Sequence, residues 1–291
     1  MSASILCFGF TLVRCAMVRK FCRPSSIWED CRGWASCHLV ELGQIFFPAS
    51  CPACGQNIFF TVEAGKERKN AACSLCENCV AAFTDPRLRC DRCGLSKCSG
   101  SSCRHCQRFV DQLGSKNILW QRMFVLGTYN DCLRAGIIAG KRPSGEALVV
   151  ALSKLLVSQQ TSMRELRVDA VIPVPMHWRK RWVRGTNAAD IMAKQIASSL
   201  RVPYRCDIRC KRLKSPQKLL SAKMRTVNMA GMFYARGNQL KGKRVLVVDD
   251  VATTGATLSA ITHCLLEIGA TVVYAAVLAR TDEVINYDSK Q

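Results

Sequence analysis

Acidic side chains are in short supply in this sequence. Its 21 Asp and Glu face 42 Lys and Arg, a formal net charge of +21. That imbalance argues against basic partners and favours polyanions, either nucleic acid or phosphorylated small molecules. Long apolar runs are missing too. The N-terminal run from Ile5 to Val13 falls well short of the roughly 20 residues needed to cross a bilayer, which predicts no membrane span. No Lys or Arg precedes it, so the basic n-region of a secretory signal is absent. Residues 1–38 read instead as a poorly ordered extension, or as the product of a start codon placed too early. There is no low-complexity tract and no internal repeat other than paired cysteines. With four His in the chain, His38, His177 and His263 stand isolated, and no Ser/His/Asp hydrolase arrangement can be assembled.

What is abundant is apolar residues, 49% of 291, and cysteine, 19 in all. The first excludes wholesale disorder and allows about two domains. Ten of the cysteines lie between Cys51 and Cys106, mostly as Cys-x-x-Cys pairs, which is metal-site rather than disulfide spacing. A reducing, cytoplasmic setting follows. CPACG at 51–55 and CDRCG at 90–94 are zinc-knuckle sequences, and CENC at 76–79 and CRHC at 103–106 supply two further pairs. Eight thiolates make two tetrahedral sites with no open position, hence structural zinc. Chain order groups Cys51, Cys54, Cys76 and Cys79 on one metal and Cys90, Cys93, Cys103 and Cys106 on the other. An interleaved pairing fits the same spacing. Cys73 overlaps the second pair, and His105 is an alternative ligand. Paired rather than clustered spacing argues for zinc over an iron–sulfur cluster. A segment so poor in apolar periods needs the metal to fold at all. Cys132, Cys206, Cys210 and Cys264 are expected as packing residues.

After a linker at Gly114–Asn117 the pattern changes. Strands are predicted at 123–129, 169–175, 243–248 and 272–278, and helices at 147–157, 187–200 and 258–268 with Gly269 as the C-terminal cap. Strands alternating with helices, with continuous apolar strand runs, give an α/β fold with a parallel sheet flanked by helices. The most informative stretch is KRVLVVDDVATTGATLSAITHCLLEIGA. An apolar strand ends in Asp249 and Asp250, and a small turn then opens a helix. Backbone N–H groups around Thr253, Thr254, Gly255, Ala256 and Thr257 can converge on a phosphate, aided by the positive end of the helix. Gly255 allows close approach or a positive φ. The two carboxylates sit where open α/β sheets bind ligands and can accept hydrogen bonds from ribose hydroxyls. Acids beside a phosphate imply a cation, so Mg²⁺ is an expected companion. The alternative for this stretch is a plain strand-to-helix turn with an Asp cap.

The stretch resembles the phosphoribosyl diphosphate (PRPP) signature of type I phosphoribosyltransferases, and with its neighbours it resembles the ComF family of phosphoribosyltransferase-like proteins linked to DNA uptake. PVPMHWRKRWVRGTNAADIMA, SPQKLLSAKMRTVNMAGMFY and the upstream cysteine pairs carry the likeness over about residues 40–281. The resemblance implies a type I phosphoribosyltransferase fold at 116–291 preceded by a zinc ribbon at 39–115. It implies a diphosphate loop at Arg179–Arg184 with Arg184 and Asn187 as its leading residues, and a closing loop at Lys211–Arg225 from which Lys218, Lys223 and Arg225 reach phosphates. Trp178 and Trp182, interleaved with these charges, read first as packing residues. Lys141 matches a basic position of the family, although a lone turn lysine reads first as solvated. Three positions depart from the family pattern: Thr186 in place of Phe, Ala188 in place of Gln and Ala256 in place of Ser. The last removes a hydroxyl and no backbone donor.

Two functions follow. One is transfer of a phosphoribosyl group from PRPP to an unidentified acceptor, with Asp249, Asp250 and Arg184 as catalytic candidates. The other is a non-catalytic protein that binds single-stranded DNA along its basic segments and senses PRPP. A scaffold that docks a partner through the ribbon is a third and plainer reading. No domain that would release ammonia from an amide is visible, which disfavours an amidophosphoribosyltransferase.

Overall fold

The computed structural model describes residues 49–58, 74–96, 103–113, 115–176, 187–210 and 232–282. The chain forms two compact units, one comprising Met1–Ser50 and Asn57–Lys66, the other Cys51–Gln56 and Glu67–Gln291. In the first, the described residues form a minimal antiparallel pair, β1 (Ala49–Ser50) and β2 (Asn57–Ile58).

The second unit opens with two short helices, α1 (Glu77–Phe83) and α2 (His105–Leu113). Next come β3 (Met123–Thr128), α3 (Asp131–Gly140), α4 (Glu146–Gln159), α5 (Ser162–Glu165) and β4 (Ala170–Pro173). Then follow α6 (Ala188–Leu200), a hairpin of β5 (Ile208–Cys210) with β6 (Phe233–Ala235), β7 (Arg244–Ala252), α7 (Ala256–Glu267) and β8 (Val272–Arg280). The strands β3, β8, β7 and β4 pair in that order, all parallel, into one four-stranded sheet. Beyond β4, residues 203–205 run parallel to Val171 and exchange two backbone hydrogen bonds with it.

The expected α/β class is borne out. The central strands read as unbroken apolar runs because both faces are covered. Val245 and Val247 of β7 and Val273, Ala275 and Val277 of β8 share one core with Leu258, Ile261 and Leu265 of α7. That core also takes in Cys90, Cys93, Leu95, Phe109 and Trp120, so the second cysteine-rich segment lies against the sheet. The period of two sends the alternate residues Leu246 and Val248, fully buried, to the other face.

Some boundaries differ from expectation. β7 does not stop at Val248 but continues through the acid pair to Ala252, because β8 pairs with it as far as Arg280. Asn187 is not helical; it holds an extended N-cap position before α6. α3, carrying Gly136 and Gly140, was not foreseen: glycine weakens a helix, and here Gly136 is retained because the Phe83 ring lies against it. Cys132 and Cys206 are exposed, so the packing role expected of them fails, while Cys264 is buried as expected. Among the described residues no helix is long and apolar enough to cross a membrane.

Candidate functional site

The two knuckle sequences fold alike. In CPACG the Cys51 amide donates to Gln56 O (2.8 Å) and the Gly55 amide to Cys51 O (2.8 Å). In CDRCG the Cys90 amide donates to Leu95 O (2.9 Å) and the Gly94 amide to Cys90 O (2.9 Å). Gly55 and Gly94 have φ of 76° and 72°, a conformation glycine alone adopts without strain. Each knuckle faces a Cys-x-x-Cys at a helix start: Cys76 caps α1, and Cys103 and Cys106 bracket the first residues of α2.

The sulfurs fall into two sets in chain order, Cys51/Cys54/Cys76/Cys79 and Cys90/Cys93/Cys103/Cys106, each with all four Sγ within 4.8 Å of one another. Sγ separations of 3.6 Å (Cys54–Cys76), 3.5 Å (Cys90–Cys106) and 3.6 Å (Cys93–Cys103) are close to the roughly 3.8 Å edge of a tetrahedron with 2.3 Å zinc–sulfur bonds. None of the eight is in a disulfide. The sulfurs perturb one another strongly. Contact with Cys93 is the leading reason that Cys90 is held down to about 4, and Cys93 is pushed far up by Cys90 and then by burial. Cys106 rises to about 12, through burial first. At the other set burial works against Cys51, but the amides of Cys76, Cys54 and Ala53 outweigh it and hold the thiol at about 6, while burial and its neighbours push Cys79 up. A divalent cation among the sulfurs would hold all four as thiolates. Both sets have the donors and spacing for zinc. Cys73 lies outside the described residues.

The candidate phosphate loop joins β7 to α7. Gly255 is the N-cap of α7 with φ 71°, and no side chain caps the helix, so the plain Asp-capped turn does not occur. Among the described residues, no backbone hydrogen bond outside helices and strand ladders engages the amides of Thr253, Thr254 or Gly255. The Ala256 amide makes a long contact of 3.4 Å with Thr254 Oγ1. Thr253 is exposed, Thr254 and Thr257 are half-buried, and Gly255 and Ala256 are buried. A Cβ on Gly255 would lie 2.5 Å from Phe109 Cζ and 3.4 Å from Trp120, so glycine is needed for packing as well as for φ.

Asp249 and Asp250 are adjacent on β7 and both half-buried. Asp249 Oδ1 accepts from the Asp250 amide at 2.9 Å. Asp250 Oδ2 lies 2.7 Å from Lys141 Nζ. Loss of solvent, then the like charge of Asp250, holds the Asp249 carboxyl well above the ordinary carboxylate range, with the Asp250 amide and Lys141 acting in the opposite direction. β4 runs beside this pair: Pro173 aligns with Val248, and the Val174 amide donates to Val248 O at 2.8 Å. The described chain after β4 thus starts from the sheet next to the acids, and it resumes at Asn187, the N-cap of α6. Arg184, with Trp178 and Trp182, and Arg225, with Lys218 and Lys223, lie outside the described residues.

Two contributors are weakly legible, or not legible, in the sequence. Lys141 matches a basic position of the family, but a lone turn lysine gives no sign of the carboxylate it will meet. Arg280 lies in no motif. It is fully buried, and its one sequence signal is an arginine closing a nine-residue apolar strand.

A model of the phosphoribosyl transferase domain matches residues 187–288. Competence protein F of Haemophilus influenzae is 30% identical over 243 residues, covering 81% of this chain and 98% of that protein. DNA utilization protein YhgH of Escherichia coli O157:H7 is 31% identical over 215 residues, 72% and 90% of the two chains. Competence protein ComFC of Bacillus subtilis is 24% identical over 180 residues, 62% and 72%. Fold and site thus define a phosphoribosyltransferase-type α/β domain preceded by a cysteine-rich module. The chain belongs to the ComF family.

Proposed function

We propose that this protein binds PRPP and transfers its phosphoribosyl group to a nucleophile, releasing diphosphate. The bond from ribose C1 to the diphosphate oxygen breaks, a bond from C1 to the acceptor forms, and the acceptor gives up a proton. Asp249 and Asp250 accept hydrogen bonds from the ribose hydroxyls. The amides and hydroxyls of Thr253–Thr257, with the positive end of α7, hold the 5-phosphate. Asn187, Arg184 and the Arg225 segment meet the diphosphate, where positive charge stabilises the leaving group. Lys141 limits the repulsion between the acid pair and an anionic substrate. The carboxylates are hard oxygen donors suited to Mg²⁺, which would be held chiefly through the diphosphate. Zinc in the two cysteine sets is structural, within a ribbon at 39–115 ahead of the catalytic-type domain at 116–291. Reduced metal-site thiols fit a cytoplasmic location.

The observation that carries this reading is the run on β7 and its turn: two carboxylates followed by three backbone amides that no loop or turn backbone bond engages among the described residues, and a glycine at positive φ. Titration calorimetry with PRPP and Mg²⁺ tests it. We expect binding that weakens at least about tenfold, or about 1.4 kcal/mol, in Asp249→Ala and Asp250→Ala. Diphosphate release in the presence of candidate acceptors then separates transfer from mere binding. If the wild-type chain shows no heat of binding, the reading fails.

The net charge of +21 and the relatives named for competence and DNA utilization favour a second role: the basic segments bind single-stranded DNA during DNA uptake, with PRPP as a sensed ligand. Its signature is affinity that falls steeply with salt. Absence of binding at low salt removes it.

A further inference from the structure

Arg280 ends β8 with its side chain fully buried, a placement that costs several kcal/mol unless the cation finds partners. Its Nη1 donates to Ala252 O (2.9 Å) and to Thr253 O, and its Nε donates to Cys93 O (3.2 Å). Its guanidinium lies 5.0 Å from the centre of the Phe109 ring. One side chain thus joins the end of β7 and the first residue of the phosphate loop to a cysteine of the second set. The floor beneath is shared. Phe109, from α2, the helix that carries Cys106, packs edge-on against Trp120 at 5.8 Å and under Gly255. Trp120 Nε1 donates to Arg92 O at 2.7 Å, the carbonyl just before Cys93.

The planar trans peptide gives these anchors a consequence. A carbonyl and the amide that follows it point in opposite directions. Holding the Ala252 and Thr253 carbonyls toward the buried guanidinium turns the Thr253 and Thr254 amides away from it, to the side where nothing in the loop engages them. Stability alone does not call for a charge here, since Nη2 is buried with no partner among the described residues and an apolar side chain of similar size would avoid that cost.

We propose that Arg280 is a positioning residue for the phosphate loop, and that through Cys93 it links metal occupancy of the Cys90/Cys93/Cys103/Cys106 set to phosphate binding. The inference rests on reading the loop as a phosphate site. Linkage is reciprocal: metal that fixes the knuckle favours the aimed amides, and a bound phosphate ester retains the metal.

The full zinc-loaded chain is challenged with the colorimetric chelator 4-(2-pyridylazo)resorcinol, and zinc release is timed with and without saturating ribose 5-phosphate. We expect two zinc equivalents per chain, one released about tenfold more slowly when the ester is bound, within the usual range of coupling strengths. In Cys54→Ser, which keeps the second set, the remaining equivalent retains this protection. In Arg280→Met the zinc content is kept, the protection vanishes and affinity for ribose 5-phosphate drops; Arg280→Lys recovers part of both. Should the ester bind in calorimetry yet leave both release rates unchanged in the wild-type chain, this inference is overturned while the phosphate site stands. Should the ester and PRPP both fail to bind, the phosphate site itself falls, and the inference with it. The wild-type comparison needs no variant to fold.

Discussion

The two cysteine sets share a ligand type, a turn and a helix-start pair, yet they sit in different surroundings. In the second, Cys90 and Cys93 are 5% and 0% exposed and belong to the same core as β7, β8 and α7. In the first, Cys51 is buried but Cys54 is exposed, and neither joins that core. The two glycines repeat the contrast. A Cβ on Gly55 would meet nothing within 4 Å, whereas one on Gly94 would come 2.5 Å from Met123 Sδ and 3.0 Å from Val125 Cγ2. A metal knuckle is therefore a local device whose weight depends on what is packed behind it. The first set lies outside that core, and the second shares it with Phe109 and Trp120, which pack under Gly255 of the candidate phosphate loop.

Ligand removal should break the comparison most visibly. Metal binding supplies about 10–16 kcal/mol in isolated zinc modules, as much as a typical domain's whole net stability of about 5–15 kcal/mol. Cys93→Ser should therefore lose one zinc and lower the melting temperature of the whole second unit, whereas Cys54→Ser should lose one zinc and leave the main calorimetric transition nearly in place. A smaller effect is expected at the segment between the sets. Asp85 accepts from Arg89 (2.6 Å), Arg87 (2.8 Å) and Thr128 Oγ1 (2.6 Å). Although burial opposes it, these partners, Arg87 first, hold its carboxyl below the usual range. The stability it contributes is present above the unfolded value of about 4 and is lost as pH falls further. Asp85→Asn should cost about 3 kcal/mol at pH 7 by denaturant titration, and progressively less as pH falls below about 4.

The glycine pair sharpens the contrast at lower amplitude. Alanine at positive φ costs about 1–2 kcal/mol at either site, and Gly94→Ala should exceed Gly55→Ala by about 1 kcal/mol because Met123 must give way. The smallest effect comes from the ligand side of the floor. Asp249 has a raised folded pKa, so the folded chain binds that proton more tightly and stability falls as pH rises above about 4. Asp249→Asn should raise the stability of the ligand-free protein by roughly 1 kcal/mol at pH 8, have little effect at pH 4, and weaken PRPP binding. Equal melting temperatures for variant and wild type at pH 8 would contradict the assignment.

Local patterns carried much of this into the sequence. The continuous apolar runs at 169–175 and 243–248 could only be buried strands, and the acid pair followed by Thr-Thr-Gly-x-Thr announced its turn. The knuckle spacing located both metal sets, although spacing alone left the pairing of the sets open until the chain's path brought each knuckle to its own helix start. The least legible residues are those whose meaning comes from distant partners. Lys141 meets Asp250 across 109 positions, and Arg280 meets Cys93 across 187. Neither lies in a periodic pattern that points to the other. β7 outran its predicted end for the same reason: aspartates are poor strand formers, and pairing with β8 overrides that preference.

The most direct test is a crystal structure of the zinc-loaded protein with PRPP and Mg²⁺. The account predicts the 5-phosphate within hydrogen-bonding distance of the Thr253–Thr257 amides and the ribose hydroxyls on Asp249 and Asp250. Density for the phosphate at any other place, with those amides still facing solvent, would contradict it.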